Sequence, residues 1–237
     1  MTPSLQNVVG GLDLRCCDCM DLMRECADKA FDLAIVDPPY GIGISGNPVR
    51  QAHKKKSWDA AIPDQSYFDE LFRVSQNQII WGGNYFPLPP TQNLIVWDKQ
   101  QPQKFSLAMC EFAWCSIQRP AKMFRRSVLL ENGKIHPTQK PVALYRWILE
   151  NYAKPGDRIL DTHLGSGSIA IACHYAGHHL TACEIDRDYY EAALQRIKRE
   201  TAQMTLIDTP NPSHHDGAAP APSVDGVVGT PNQKGET

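Results

Sequence analysis

Nowhere in the 237 residues is there a run of about 18 apolar side chains, the length that a membrane-spanning helix needs. Residues 1–11 lack the basic start and apolar run of a secretory signal, so no targeting segment is expected. There is no large charge excess either, because 24 Lys and Arg face 26 Asp and Glu for a net −2. No internal repeat is visible. Eight cysteines are present; Cys16 and Cys19 give one pair with zinc-like spacing, and no second pair is obvious. No metal site is therefore expected. Reduced, mostly buried thiols in a reducing compartment are. What remains is 42% hydrophobic and 21% charged, close to the globular average, which predicts one domain with a full core rather than a fibrous or disordered chain.

The near-neutral total hides an uneven distribution. Residues 209–237 hold five Pro, four Gly and no aromatic, with Lys234 against Asp216, Asp225 and Glu236. Such a stretch cannot offset its chain entropy by burial, and 208–237 is expected to be a disordered tail. Elsewhere the cations are bunched. Arg50, Lys54, Lys55 and Lys56 face no acid between Gly41 and Trp58, and eight Lys or Arg face three acids between Asp98 and Lys140. Local charge sets the field that a phosphate backbone meets, although a solvated loop satisfies the same pattern.

Three apolar runs read as buried parallel strands: Phe31 to Val36, Asp157 to Asp161, and Leu180 to Glu184. Between the last two lies a helical run from Ser168, read as its N-cap, to Ala176. A second helix runs from Arg187 to about Arg199, with Tyr190, Ala193, Leu194 and Ile197 at helical spacing. Ile79 to Trp81 and Leu94 to Trp97 are further strands. This alternation predicts an α/β fold, a mostly parallel sheet with helices on both faces.

Ligands of such sheets sit beyond the carboxyl ends of the strands, where two loops have unusual chemistry. In Asp161-Thr162-His163-Leu164-Gly165-Ser166-Gly167-Ser168 the glycines permit close backbone approach and the next helix offers free N–H groups. Glu184, about 23 residues after the start of this loop, is placed to bind both hydroxyls of a ribose. Gly165 to Ala170 also satisfies the dinucleotide fingerprint, which an ordinary strand–helix turn can match by itself. In Asp37-Pro38-Pro39-Tyr40-Gly41 two prolines remove two donors. They leave the Asp37 carboxylate and the Pro38 carbonyl as rigid acceptors beside the Tyr40 ring. Two acceptors and a stacking surface suit a planar amino group; the bland alternative is a stiff turn.

These residues also carry a family resemblance. Asp37-Pro-Pro-Tyr40 resembles the catalytic motif of the amino-group DNA methyltransferases, which act on adenine N6 or cytosine N4. Asp161-x-x-x-Gly165-x-Gly167 is similar to their cofactor motif, with His163 and Leu164 as departures, and His136-Pro-Thr-Gln-Lys-Pro141 to a third motif. The motif order resembles the circularly permuted β subgroup. Ile79-Ile-Trp-Gly-Gly-Asn-Tyr-Phe86 resembles short phage and prophage members. The resemblance covers about residues 12 to 200.

It implies a Rossmann-like methyltransferase domain over 1–207, with a small target-recognition region inserted at about 85–135. The implied cofactor is S-adenosyl-L-methionine. Asp37 and Pro38 would accept from the target amine, Pro39 would hold the loop rigid, and Tyr40 would stack on a flipped-out base. Gly165, Ser166 and Gly167 would wrap the methionine part, with Asp161 near its amino group and His163 in the same loop as a neutral imidazole. Lys140 and Thr138 would meet its carboxylate, Glu184 the ribose, and Asp18 would lie near the adenine.

Double-stranded DNA is the implied partner, gripped by Lys54, Lys55 and Lys56 and by Arg119, Lys122, Arg125 and Arg126. Phe105, Phe112, Trp114 and Phe124 are interleaved with the second group, and Trp81 and Tyr85 are candidates to line the base pocket. The resemblance further implies cytoplasmic residence and a homodimer, and leaves a restriction endonuclease partner open.

Adenine N6 is favoured because Asp, not Ser, opens the catalytic motif; cytosine N4 and a non-catalytic DNA-binding protein are the alternatives. A nicotinamide-dependent oxidoreductase would leave Asp37–Tyr40 and His136–Pro141 without a purpose. If the clustered cations grip phosphates, affinity for DNA falls steeply between low and moderate salt. An equilibrium titration at several salt concentrations checks this, and a flat response dismisses the basic patches.

Overall fold

The computed structural model describes residues 5–43, 59, 61–102, 108–127, 135–136 and 138–204. Lys54, Lys55, Lys56, Phe105 and the expected tail over 208–237 lie outside the described residues. The chain begins with a hairpin, β1 (Leu5–Val9) and β2 (Leu12–Cys16), turned by Gly10 and Gly11. Both have positive φ, +54° and +84°, as a two-residue turn matched to strand twist requires. Helix α1 (Cys19–Glu25) follows, capped by Asp18, which accepts the Met20 N–H at 2.7 Å. Strand β3 (Phe31–Val36) is an almost unbroken buried run. Helix α2 (Gln65–Val74) buries Tyr67, Phe68, Leu71 and Val74 along one face.

Next come β4 (Ser75–Trp81), one 3-10 turn at Gly83–Tyr85, β5 (Asn93–Asp98), β6 (Cys110–Cys115) and β7 (Lys122–Arg125). The remainder alternates: α3 (Val142–Tyr152), β8 (Arg158–Asp161), α4 (Ser168–Ala176), β9 (His179–Cys183) and α5 (Arg187–Met204).

The nine strands among the described residues form one sheet in the order β1-β2-β9-β8-β3-β4-β6-β5-β7. The five from β2 to β4 are mutually parallel, so their carboxyl ends share one edge. Successive side chains of β3 point to opposite faces. Leu33 and Ile35 pack in the core with Leu144, Ile148, Ile169 and Ile197 of α3, α4 and α5. Ala34 and Val36 pack with Leu22, Met23, Phe68 and Leu71 of α1 and α2. Helices thus cover both faces of a mostly parallel sheet, as expected. No helix among the described residues is long and apolar enough to cross a membrane.

Several expectations need correction. Within the span 85–135, β5, at the strand expected over Leu94–Trp97, is joined by β6 and β7, which were not expected, and the three extend the sheet from β4. Alternating burial along β5 (Asn93, Ile95 and Trp97 inside) gives it a core-facing side. Ser168 is not an N-cap. Gly167 occupies that position at φ +74°, and the Ser168 hydroxyl is bonded elsewhere. β9 ends at Cys183, leaving Glu184 just past the strand, and α5 runs on to Met204. All eight cysteines are free, but only Cys115, Cys173 and Cys183 are buried.

Candidate active site

Because β8 lies between β3 and β9, the loops after Val36, Asp161 and Cys183 leave the same sheet edge side by side. Two cavities open there. One of about 290 Å³ is lined by His163, Gly165, Ser166, Glu184 and Ile185. The other, about 570 Å³, is lined by Tyr40, Tyr85, Lys99, Glu111 and Phe112. Asp37, Pro39, Thr138 and Lys140 border both, so the Asp37 loop and the segment before α3 form the wall between them.

The Asp37–Tyr40 loop is held from several sides. The Tyr40 and Gly41 N–H groups both donate to Asp59 Oδ1, at 2.8 and 2.9 Å, and Asp59 is almost fully buried. The Tyr40 hydroxyl donates to Asp37 Oδ1 at 2.5 Å. One side of the Tyr40 ring lies so close to Gly82 that a Cβ there would sit 2.3 Å from ring carbon, and Gly82 has φ +70° besides. The same ring stacks on Tyr85, with centroids 5.1 Å apart and planes 13° from parallel. Tyr85 therefore lines the larger cavity, whereas Trp81 is wholly buried and packs under Lys140, whose Nζ is 5.1 Å from the indole centroid.

Lys140 itself is buried, and its ammonium pairs with Asp37 Oδ2 and, at 3.2 Å, with Glu111 Oε2. Lys99 pairs with the other Glu111 oxygen. Burial opposes charge on both Glu111 and Lys140, yet the partners prevail. Lys140 and Lys99 hold the Glu111 carboxyl down at about 2, and Asp37 and Glu111 raise the Lys140 ammonium above its ordinary value. Burial, then the negative charges of Asp37 and Glu111, push the Tyr40 phenol well up, so it stays a neutral donor.

The Gly165–Gly167 loop is equally fixed. The Gly165 N–H donates to Glu184 Oε2 at 2.9 Å, and the Asp186 N–H to Glu184 Oε1 at 3.0 Å. Buried Arg196 of α5 donates to the Ser166 carbonyl and to Ser168 Oγ, each at 2.8 Å. Ser168 Oγ in turn donates to the Lys140 carbonyl at 2.7 Å. The Thr138 hydroxyl lies 3.0 Å from His136 Nδ1. His163 borders the smaller cavity edge-on to Tyr67, and burial pushes it down to about 4, which favours a neutral imidazole.

Three assigned residues stand away from the cavity linings: Gly167 faces Ile197 of α5, and Asp18 and Asp161 lie elsewhere. Asp18 is exposed and caps α1. Asp161 is buried behind the loop, where its Oδ1 accepts the His163 N–H at 3.0 Å. Burial, with the nearby charges of Asp37 and Glu184, pushes Asp161 up to about 8.

The basic residues of the second patch divide. β7 runs parallel to β5, and β5 parallel to β4, so Arg125 and Arg126 lie at the cavity edge, with Arg125 3.5 Å from Asp98. Arg119 and Lys122 lie at the opposite end, donating to the Asn151 carbonyl and to Asn151 Oδ1 near the close of α3. They do not join a surface around the cavities. Sequence reasoning missed Asp59, Lys99, Glu111 and Arg196 as site residues. A single acid inside the otherwise apolar run Cys110–Cys115 was the one available signal.

A family model described as DNA methylase matches residues 96–195. The type II methyltransferase M.HpaI of Haemophilus parainfluenzae is 35% identical over 78 residues, 33% of this chain and 25% of that protein. M.HinfI of Haemophilus influenzae is 22% identical over 76% of this chain and 67% of its own length. This chain thus spans a quarter of one relative and two thirds of the other. Among solved structures, the M1.HpyAVI–SAM complex matches 78% of this chain and 98% of its own, with TM-score 0.55 and 17% identity. The cytosine-N4-specific PvuII DNA methyltransferase matches 83% and 92%, with TM-score 0.55 and 13% identity. These likenesses show the fold to be the Rossmann-like methyltransferase one.

Asp161 supplies a test of the buried arrangement. Its carboxyl ionises near 4 when unfolded and near 8 when folded, so between those values the folded state holds a proton that unfolding releases. Its contribution to stability is full below about 4 and is lost as pH rises through about 8. Urea unfolding at a series of pH values is expected to show Asp161→Asn flattening that decline; an unchanged slope contradicts the assignment.

Proposed function

We propose that the chain is an amino-group (N6/N4) DNA methyltransferase, as the match of residues 96–195 to the DNA methylase model and the likeness to M.HpaI and M.HinfI support, and that it transfers a methyl group from S-adenosyl-L-methionine to the exocyclic amine of a base in double-stranded DNA, adenine N6 in the first instance. The observation that carries this reading is the wall shared by the two cavities. A methyl donor in the smaller and an amine acceptor in the larger meet at Asp37.

The smaller cavity fits the cofactor in its donor set. Glu184, following β9, offers carboxylate lone pairs to a ribose diol, and exposed Ile185 beside it offers an apolar face to a purine. Lys140, against the β3 loop on the far side of β8, offers its ammonium to a carboxylate, with Thr138 beside it. Gly165 and Ser166 allow the ligand close backbone approach. Asp161, behind that loop, is a buried carboxyl that a ligand ammonium would favour in ionised form. The bound cofactor supplies an electrophilic methyl group on a sulfonium.

The chain's own residues then act on the amine. A base amine is a weak nucleophile because its lone pair is delocalised into the ring. Asp37 and the Pro38 carbonyl accept its N–H bonds, favouring the pyramidal, partly positive nitrogen that forms as it attacks. Those contacts strengthen in the transition state, which is where they lower the barrier. Tyr40, held in place by Gly82 and Asp59 and stacked on Tyr85, lines the cavity assigned to the base. To reach this loop the nucleotide leaves the duplex, at a cost of about a few kcal/mol.

Arg125 and Arg126 at the cavity edge, together with Lys54, Lys55 and Lys56, are assigned to the DNA backbone. Cytosine N4 is the second reading, favoured by the likeness to the PvuII enzyme, and it uses the same acceptors.

Asp37→Ala is expected to lower methyl transfer by about a thousandfold or more, since it removes the charged acceptor. Calorimetric titration is expected to show cofactor affinity within a few-fold of the unaltered protein. Retained turnover in the variant overturns the catalytic assignment.

A further inference from the structure

Lys140 poses a problem for the reaction just described. Its ammonium is in contact with Asp37 Oδ2, the group assigned to a nitrogen that gains positive charge. A cation so close to Asp37 cancels the carboxylate's field at the place where it is needed, and repels the developing charge directly. Burial makes this worse, because little water screens the pair.

Glu111 answers the problem. It stands at the second position of β6, opposite Trp97, and its Oε2 is closed off from solvent and turned towards Lys140 at 3.2 Å. Its other oxygen meets Lys99, itself packed over the Trp97 ring. The four groups alternate in sign along a line of contacts from Lys99 through Glu111 and Lys140 to Asp37. Lys140 also faces the Tyr40 hydroxyl at 3.4 Å, which is neutral.

We propose that Glu111 is a positioning residue for methyl transfer: acting through Lys140, it offsets the ammonium so that the charge of Asp37 remains available to the target amine. Lys99 completes the arrangement. It keeps Glu111 compensated when Lys140 turns towards a ligand carboxylate in the smaller cavity, so no buried charge is left alone. The inference rests on the functional reading above and adds to it a residue that acts on the amine through Lys140.

A double-mutant cycle tests it. Glu111→Gln keeps the side-chain volume and removes the charge. It is expected to lower kcat about tenfold or more, while KM for DNA and calorimetric affinity for S-adenosylhomocysteine stay within about threefold. In a Lys140→Met background the same change is expected to alter kcat less than twofold at saturating cofactor, because the charge it offsets is gone. Equal losses in the two backgrounds, or a Glu111→Gln enzyme with unaltered kcat, overturn the proposal.

Should Glu111→Gln alone fail to fold, Glu111→Gln/Lys140→Met removes both charges together. Its kcat is then compared with that of Lys140→Met: equality supports the role, and a further drop overturns it. Absence of any transfer by the unaltered protein overturns the functional reading instead, and this inference with it.

Discussion

The Lys140 ammonium is shut away from solvent between the aromatic rings of Trp81 and Tyr40, and an unpaired charge there would cost on the order of several kcal/mol. Two carboxylates must therefore come to it, Asp37 from the loop after β3 and Glu111 from β6. Residues far apart in the chain are thereby held together at one spot, and that spot is the partition between the two cavities. The same residue's carbonyl takes the Ser168 hydroxyl, which Arg196 ties to the Ser166 carbonyl. A single buried cation thus joins the loop that would accept the amine to the loop that would hold the methyl donor. Their spacing is set by charge compensation as much as by the sheet.

The sheet does the coarser work. Parallel pairing of β3, β8 and β9 brings the loops ending in Tyr40, Ser168 and Glu184 to one edge. The antiparallel strand β6 then runs back across β4 and starts at that same edge, which is how Glu111 reaches it. In-line transfer needs donor and acceptor on either side of one group, and two cavities bordered by Asp37 meet that need without a change of fold.

Much of this was legible in the residues. Phe31–Val36, Arg158–Asp161 and the α4 run are short, largely apolar or apolar-centred stretches legible from local sequence, and the Asp37 and Gly165 loops carry Pro and Gly where the backbone requires them. The partners were hidden. Asp59 binds backbone N–H groups 18 and 19 residues away, Arg196 reaches a loop about 30 residues back, and Lys140 meets an acid 103 residues earlier. No local pattern encodes such pairings. Within the 85–135 span Leu94–Trp97 was legible as a strand, whereas β6 and β7 show no regular alternation of burial that would have marked them. Arg119 and Lys122 fell on the wrong end because strand direction, which sets the end of the sheet a residue occupies, was not readable from spacing.

Methyl transfer to a base amine at the Asp37 loop is the reaction proposed for this chain. It is tested most directly by incubating the protein with unmethylated duplex DNA and S-adenosyl-L-methionine carrying a labelled methyl group. The DNA is then digested and its nucleosides are identified by mass spectrometry. Label on N6-methyladenine is the predicted result, and label on N4-methylcytosine would keep the mechanism while changing the base. Label on a ring carbon, or none in DNA despite measured cofactor binding, would contradict the account.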